Sequence, residues 1–314
     1  MPPRPPRIVV VGSANTDLVM RVRQLPRPGE TVLGGTFAAV PGGKGANQAV
    51  AAARAGGQTT FVAKVGADAM GDAAIAAYRD IGIDTAHVTR HATSPSGVAL
   101  IVVDENGENA IAVASGANDL LLPDDVDRAR AAIAAADVLL LQLEVPLETV
   151  RHAIAVAATA GVRVILNPAP ARPLDDSVLS QVWLVTPNET EAAMLTGTSA
   201  ADLDAAAAAA DLIARGPRGA VITLGGRGAF LCDSGTALLV PAYPVRPVDT
   251  VAAGDVFNGC LAVAVAEGRD LADAVRFATA GAAVSVTRRG AQDSAPSRPE
   301  IDAFVATGPL ARPG

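Results

Sequence analysis

Lysine is nearly missing from this 314-residue chain: it occurs only at Lys44 and Lys64, so arginine supplies almost all of the 25 basic side chains. Acidic residues number 32 and the net charge is -7, which leaves no basic face to hold a nucleic-acid backbone. Aromatic residues, 3% of the chain, are too scarce to stack against bases. A polymeric nucleic acid partner is therefore excluded. The two cysteines, Cys232 and Cys260, are too few for a disulfide framework and are not spaced as metal ligands, so both are expected to be core filler. His87, His91 and His152 show no metal-like spacing either and read as structural. Long apolar runs are also lacking. DVLLLQLEV and GCLAVAVAEG stop well short of the roughly 20 residues a membrane span needs. The N-terminal MPPRPPR lacks the apolar segment and cleavage site of a secretory signal, so a cytoplasmic protein without a membrane partner is expected. The first strand is not followed by GxGxxG, which disfavours a dinucleotide-dependent dehydrogenase.

Half of the residues are hydrophobic and only 18% are charged, enough to bury a large core in one domain. Strand-like runs (RIVVVG, TTFVAKVG, DVLLLQLEV, VRVILNPA, VWLVTPN, GAVITLGG) alternate with alanine-rich helical ones (ANQAVAAARAG, DAAIAAYRDIG, ETVRHAIAVAATAG, DAAAAAADLIARG). This alternation predicts an α/β fold with a mostly parallel sheet covered by helices on both faces. The near-continuous apolar strands agree, because parallel strands are buried on both sides. Two regions break the alternation: about residues 15–36, and 96–114, where ENGE reads as a hairpin turn. They predict a small separate sheet, placed as a lid over the carboxyl ends of the parallel strands, where ligands of such sheets bind. Its exposed face is a natural dimer contact. The alanine tract 205–210 reads as a surface helix without a chemical role. The expected organisation is an extended tail at 1–6, a single domain over 7–306 with its lid, and a C-terminal tail over 307–314.

Four stretches carry candidate chemistry. In VPGGKGANQAVAAARAG the glycines at 42, 43 and 45 precede a helix, so backbone can approach a ligand beside free N–H groups; a tight turn has the same composition. Lys44 lies within this turn, where a compact point charge fits better than a planar guanidinium; Lys64 carries no such reading and is assigned to chance. The stretch is not a Walker A loop, because Gly45 follows Lys44. Asn15 and Asp17, just beyond the first strand, offer donors and acceptors suited to a polyhydroxylated small molecule, or form an Asx turn. Glu144 ends a buried strand, while Asn188 and Glu191 open another helix, either as a capping pair or, with Glu144, as carboxylates suited to the hydration shell of magnesium. VITLGGRGAF reads as strand, glycine turn and strand, a plain hairpin or a turn lying against a nucleotide.

The stretch VDTVAAGDVFNGCL sets Asp255 after three small residues at the start of an apolar helix. Its amides at residues 252–255 (Ala252, Ala253, Gly254, Asp255) can gather round an anion and stabilise charge developing on a transferred phosphoryl group. Asp255 can take a proton from an attacking hydroxyl, or it is simply an acid in a helix's first turn.

With GGKGANQA and VDTVAAGDVFNG both in view, the sequence resembles the ribokinases, within the PfkB family of carbohydrate and nucleoside kinases. The resemblance runs from about Arg7 to Phe304 and takes in NTD, GGKGANQA, QLE, PNETEA, TLGGRG, AAGDVFNG and VTRRGAQDS in family order. It implies ATP-dependent phosphorylation of the 5-hydroxyl of D-ribose, giving D-ribose 5-phosphate, with magnesium and potassium. It also implies that Asn15, Asp17, Gly42, Gly43, Lys44, Asn47 and Glu144 hold the sugar, with Asp255 as base. Asn188, Thr223, Gly225, Gly228, Gly254 and the neighbourhood of Thr279 would meet ATP, and Glu191 would order magnesium through water. Potassium would be held by Asp249 and Ser294 with the carbonyls of Val251, Ser285, Arg288 and Gly290. Val251 replaces the family's threonine or isoleucine, harmless if only its carbonyl is used; Arg288 and Arg289 are expected to point away from that cation. A homodimer through the lid is expected from the exposed face of the small sheet. The rivals are a same-fold kinase for deoxyribose, a nucleoside or a ketose, and a non-catalytic sugar or nucleotide sensor, disfavoured because base and anion hole are both retained.

Overall fold

The computed structural model of the protein describes residues 4–307; of the tails expected at 1–6 and 307–314, residues 1–3 and 308–314 lie outside the described residues. Thirteen strands are formed there. They are β1 (Arg7–Val11), β2 (Asn15–Arg21), β3 (Thr36–Gly42), β4 (Gln58–Gly66), β5 (Asp84–His91), β6 (Gly97–Val103), β7 (Asn109–Ala114), β8 (Val138–Leu141), β9 (Arg163–Leu166), β10 (Leu184–Val185), β11 (Gly219–Thr223), β12 (Ala229–Asp233) and β13 (Ala237–Val240). The helices are α1 (Lys44–Arg54), α2 (Ala69–Ile81), α3 (Pro123–Arg128), α4 (Arg130–Ala134), α5 (Leu147–Thr159), α6 (Asp176–Leu179), α7 (Glu189–Thr196), α8 (Ala205–Ala214), α9 (Ala253–Ala266), α10 (Leu271–Ser285) and α11 (Arg298–Thr307).

The main sheet runs β13-β12-β11-β10-β9-β8-β1-β4-β5 and is parallel except at the β11-β12-β13 edge. Because side chains alternate across a strand, β1 feeds both faces. Ile8 and Val10 enter a core with α1, α2, α9, α10 and α11, while Val9 and Val11 enter a second core with α3 to α8. The expected α/β fold with helices on both faces is what forms. The chain leaves β1 toward β4 on one side and later returns through β8 on the other, so the strand order reverses between β1 and β8. Ligands of open α/β sheets bind at such a switch point, beyond the strands' carboxyl ends. Asn15, at the start of β2, and Glu144, in the loop after β8, stand there.

The second sheet runs β3-β2-β6-β7. Its β6–β7 hairpin turns at ENGE as expected, with Asp104 Oδ1 accepting from the amides of Asn106 and Glu108. The first unit differs from the sequence reading: β2 pairs with a strand that begins only at Thr36 and ends inside the stretch read as a glycine turn. Pro26, Pro28 and the positive-φ glycines 29, 34 and 35 leave no room for a strand before it. Pro41 is tolerated because β3 is an edge strand. Lys64, which the sequence left to chance, is paired with Asp125 at 2.6 Å, both side chains almost out of solvent. A contact between residues so far apart in sequence leaves no local trace. Cys260 is buried in α9 and Cys232 half-buried in β12, both as free thiols. No helix among the described residues is long and apolar enough to cross a membrane.

Candidate active site

The loop after β1 and the head of α1 touch through bare backbone. A Cβ at Gly45 would stand 2.5 Å from the Ser13 amide nitrogen, and the Ala46 amide donates to the Ser13 carbonyl at 2.8 Å. That close approach brings Ser13 Oγ within 2.6 Å of Glu144 Oε2, which also accepts from the Lys44 amide at 2.9 Å. Asn15 turns its side-chain oxygen to Asn118 Nδ2, 2.7 Å away. The Asp17 carboxylate occupies the space where a side chain at Gly42 would begin, 2.2 Å from such a Cβ. Asn15, Asp17, Gly42, Lys44, Asn47 and Glu144 are thus gathered at the switch point by β1, β2, β8 and α1.

Across from them stands the head of α9. Ala252 caps it in the left-handed region, φ 59° and ψ 11°, the only non-glycine residue with positive φ among the described residues. The Ala253 amide turns back to the Thr250 carbonyl at 3.3 Å, whereas the amides of Ala252, Gly254 and Asp255 meet no protein acceptor among the described residues. A Cβ at Gly254 would find nothing within 4 Å. These residues border an open cavity of about 180 Å³ that Lys44, Asn188, Glu191 and Thr223 also line. Unsatisfied amides at a helix start, facing open space, make a seat for an anion.

Asp255 is 6% exposed. Its Oδ2 accepts from Asn47 Nδ2 at 3.0 Å and its Oδ1 from Gln48 Nε2 at 2.9 Å. Burial pushes its pKa up, while Lys44 and the two amides pull it back without cancelling the rise. Asp17 is raised to about 6 by burial and by Glu144 and Asp255. For Lys44, burial is outweighed by Asp255, Glu144, Glu191 and Asp17, which hold the ammonium above the ordinary lysine value. One cation thus stands among four carboxylates, as a site must if it is to accept hydroxyl protons and hold phosphate in one place.

Asn188 and Glu191 form the capping pair at the head of α7: Asn188 Oδ1 accepts from the Glu191 amide, and both Glu191 oxygens accept from Asn188. Glu191 is raised by burial against the pull of the Asn188 amide and Lys44. With its oxygens so engaged, Glu191 suits an outer contact to hydrated magnesium rather than a direct ligand. Gly225 is open at the turn after β11, but a Cβ at Gly228 would lie 2.0 Å from the Val240 carbonyl, so that glycine is packed against β13. Thr279 is buried in α10 with its hydroxyl bonded to the Val275 carbonyl, and it does not line the cavity.

Beside the anion seat, Asp249 ties two segments together, accepting from the amides of Val251 at 3.0 Å and Gly290 at 3.1 Å. Ser294 is 1% exposed. Arg288 is drawn away to Glu300 at 2.6 Å and Arg289 is exposed, both outward as expected. The oxygens here, one carboxylate with hydroxyl and carbonyl groups, are hard donors, and Asp249 and Ser294 are both engaged with protein groups. No group of three or more His, Cys, Asp or Glu is placed to hold a metal among the described residues.

Sequence reasoning passed over Gln48, Gln142, Asn167, Thr186 and Asn258. All are buried: Asn167, Thr186 and Asn258 border the cavity with Asp255, while Gln48 and Gln142 do not reach it. The available signal was an amide side chain one turn after Lys44, on the inner face of an alanine-rich helix.

An α/β sheet with a small second sheet, open amides at a helix head and a buried carboxylate beside a corner of hydrogen-bonding side chains is an arrangement suited to phosphoryl transfer. The chain belongs to the pfkB family of carbohydrate kinases, whose family model matches residues 5–298. Within that class it is similar to the ribokinase of Haemophilus influenzae, 43% identical over 95% of this chain and 98% of that protein. It is also similar to the deoxyribokinase of Salmonella typhi, 40% identical over 95% of this chain and 98% of that protein. Among solved structures, Arabidopsis thaliana ribokinase complexed with ribose and ATP superposes with a TM-score of 0.89, at 32% identity, covering 96% of this chain and 99% of that one. The resemblance read from the two glycine-rich motifs is borne out.

Proposed function

We propose that this protein is a ribokinase: it transfers the terminal phosphoryl group of ATP to the 5-hydroxyl of D-ribose, releasing D-ribose 5-phosphate and ADP. The observation that carries this reading is the Asp255 carboxylate at the head of α9, one residue from an open glycine and beside amides with no protein partner. Asp255 accepts the hydroxyl proton as the ribose oxygen bonds to phosphorus and the bond to ADP breaks, its electrons leaving with ADP. The amides of Ala252, Gly254 and Asp255 hold the charge on the moving group, with Ala253 shaping the turn, and Lys44 holds charge from the opposite wall. Asn15, Asp17, Gly42, Gly43, Asn47 and Glu144 orient the sugar. Asn188, Thr223 and Gly225 border the nucleotide; Gly228 shapes its turn, and the segment around Thr279 backs the site from α10.

Magnesium, held through water by Glu191, would neutralise phosphate charge. Potassium, held by Asp249, Ser294 and the carbonyls of Val251, Ser285, Arg288 and Gly290, would steady the loop that carries the anion seat. The exposed apolar side chains of the small sheet, Phe37 and Leu100 on one face and Ile111 and Val113 on the other, support a homodimer through the lid. We place the protein in the cytoplasm, with no nucleic acid or membrane partner. The deoxyribokinase relative favours deoxyribose as the second substrate to test. A coupled ADP-release assay over pentoses, ketoses and nucleosides, with and without potassium, should give the highest kcat/KM for D-ribose and a potassium-dependent rate. A higher value for 2-deoxyribose or a nucleoside would replace ribose as the substrate.

A further inference from the structure

A chain of buried side-chain amides runs to Asp255, its direction imposed from the far end by a backbone carbonyl. The Thr186 carbonyl can only accept, and it takes Asn167 Nδ2 at 2.9 Å, which turns Asn167 Oδ1 toward Gln48 Nε2 at 3.0 Å. Gln142 Nε2 donates to Gln48 Oε1 at 2.5 Å. With its oxygen engaged by Gln142 and one N–H by Asn167, Gln48 has one N–H left, and that one meets Asp255 Oδ1 at 2.9 Å. Gln48 and Gln142 are both fully out of solvent, and neither lines the cavity. Gln142 Oε1 is itself buried without a partner. A core that only needed stability would replace such a group with an apolar side chain, since an unpaired buried acceptor costs about 1–3 kcal/mol. Three strands, β8, β9 and β10, and helix α1 thus converge to aim a single donor.

We propose that Gln48 is the positioning residue of the proton-accepting carboxylate: its amide, oriented by Asn167 and Gln142, holds Asp255 Oδ1 and so fixes the rotamer in which Oδ2, which also accepts from Asn47, faces the attacking hydroxyl. The inference rests on the reading of Asp255 as the base. The polarity of the chain is the device. A Gln48 side chain turned end for end would set its carbonyl oxygen against the carboxylate and drive it out of line. The other charged groups that face Asp255 are Lys44 and Glu144, with Asp17 and Glu191 further round the site; none touches Gln48, so the variants below leave them in place.

Steady-state kinetics of Gln48→Met, Gln142→Met, their double variant and Asp255→Asn test this. Gln48→Met should lower kcat about 10- to 100-fold with both KM values within about threefold, as expected for misplacing a reacting group without touching the substrates. Losing a donor to the carboxylate should also move the acidic limb of the kcat profile to higher pH. Gln142→Met should act in the same direction more weakly, and the double variant should be no slower than Gln48→Met alone, because Gln142 acts through Gln48. If Gln48→Met does not fold, Gln142→Met decides through the same split between kcat and KM. Wild-type kcat and pH profile in the glutamine variants, or strictly multiplicative effects in the double variant, overturn the proposal alone when Asp255→Asn is inactive. An active Asp255→Asn overturns the base assignment and this inference with it.

Discussion

Asp17 is a residue of the site whose charge changes close to neutral pH. Its folded-state pKa of about 6 exceeds the ordinary 3.8 because burial and two neighbouring carboxylates oppose its ionisation. The sign follows. The folded protein binds this proton more tightly than the unfolded chain, so Asp17's contribution to stability is present below pH 3.8 and lost as pH rises through 6. On the proposed reading of Asp17 as a sugar-binding group, the free protein at pH 7 carries that penalty to keep an acceptor ready for sugar hydroxyls. The kcat/KM for sugar should therefore be level above about pH 7 and fall as pH drops through about 6, approaching tenfold per unit as Asp17 protonates. A profile that stays level to pH 5 would remove Asp17 from sugar recognition. Ala252 shows the same trade in the backbone, holding at φ 59° a conformation that usually costs a non-glycine residue about 1–2 kcal/mol.

Two glycines at helix heads separate packing from chemistry at the scale of elements. At Gly45 an added methyl meets the backbone of Gly12 and Ser13, so Gly45→Ala should lower stability by about 1–3 kcal/mol in a denaturant titration by pushing α1 off the loop after β1. At Gly254 the same methyl meets nothing. Gly254→Ala should leave the unfolding midpoint unchanged or slightly higher, yet lower kcat about 100-fold or more, because the methyl enters the anion seat. Equal effects of the two on stability would mean that α9 does not begin at an open site. The same elements show what a sequence can and cannot disclose. The parallel strands, the ENGE hairpin, the capping pair Asn188–Glu191 and the two glycine-rich helix heads are local patterns and were legible. The start of β3 was not, because its edge-strand proline and the glycines beside it match a turn. Nor were the Lys64–Asp125 pair and the buried amides leading to Asp255, whose partners lie up to 207 residues away along the chain. Gly228 stands in a motif that points to nucleotide, and the resemblance places the neighbourhood of Thr279 there as well, while their backbone and hydroxyl contacts are to protein.

On the scale of the whole molecule, the main sheet carries its core on both faces, and the small sheet leaves apolar residues uncovered: Phe37 is 61% exposed and Val113 59%. Exposed apolar side chains on both faces of one thin sheet support the proposed dimer contact. Light scattering after size exclusion should give a particle of two chains, and Phe37→Asp combined with Ile111→Asp should shift it to one; a monomeric wild type at micromolar concentration would leave the lid as a single-chain cover. Sheet, lid and helix heads meet at one carboxylate. Asp255→Asn, measured for ribose-dependent ADP release and for ATP affinity, tests the account most directly. Loss of about 100- to 10,000-fold in kcat, with ATP affinity within about threefold, is the predicted result. Turnover within tenfold of wild type would contradict it.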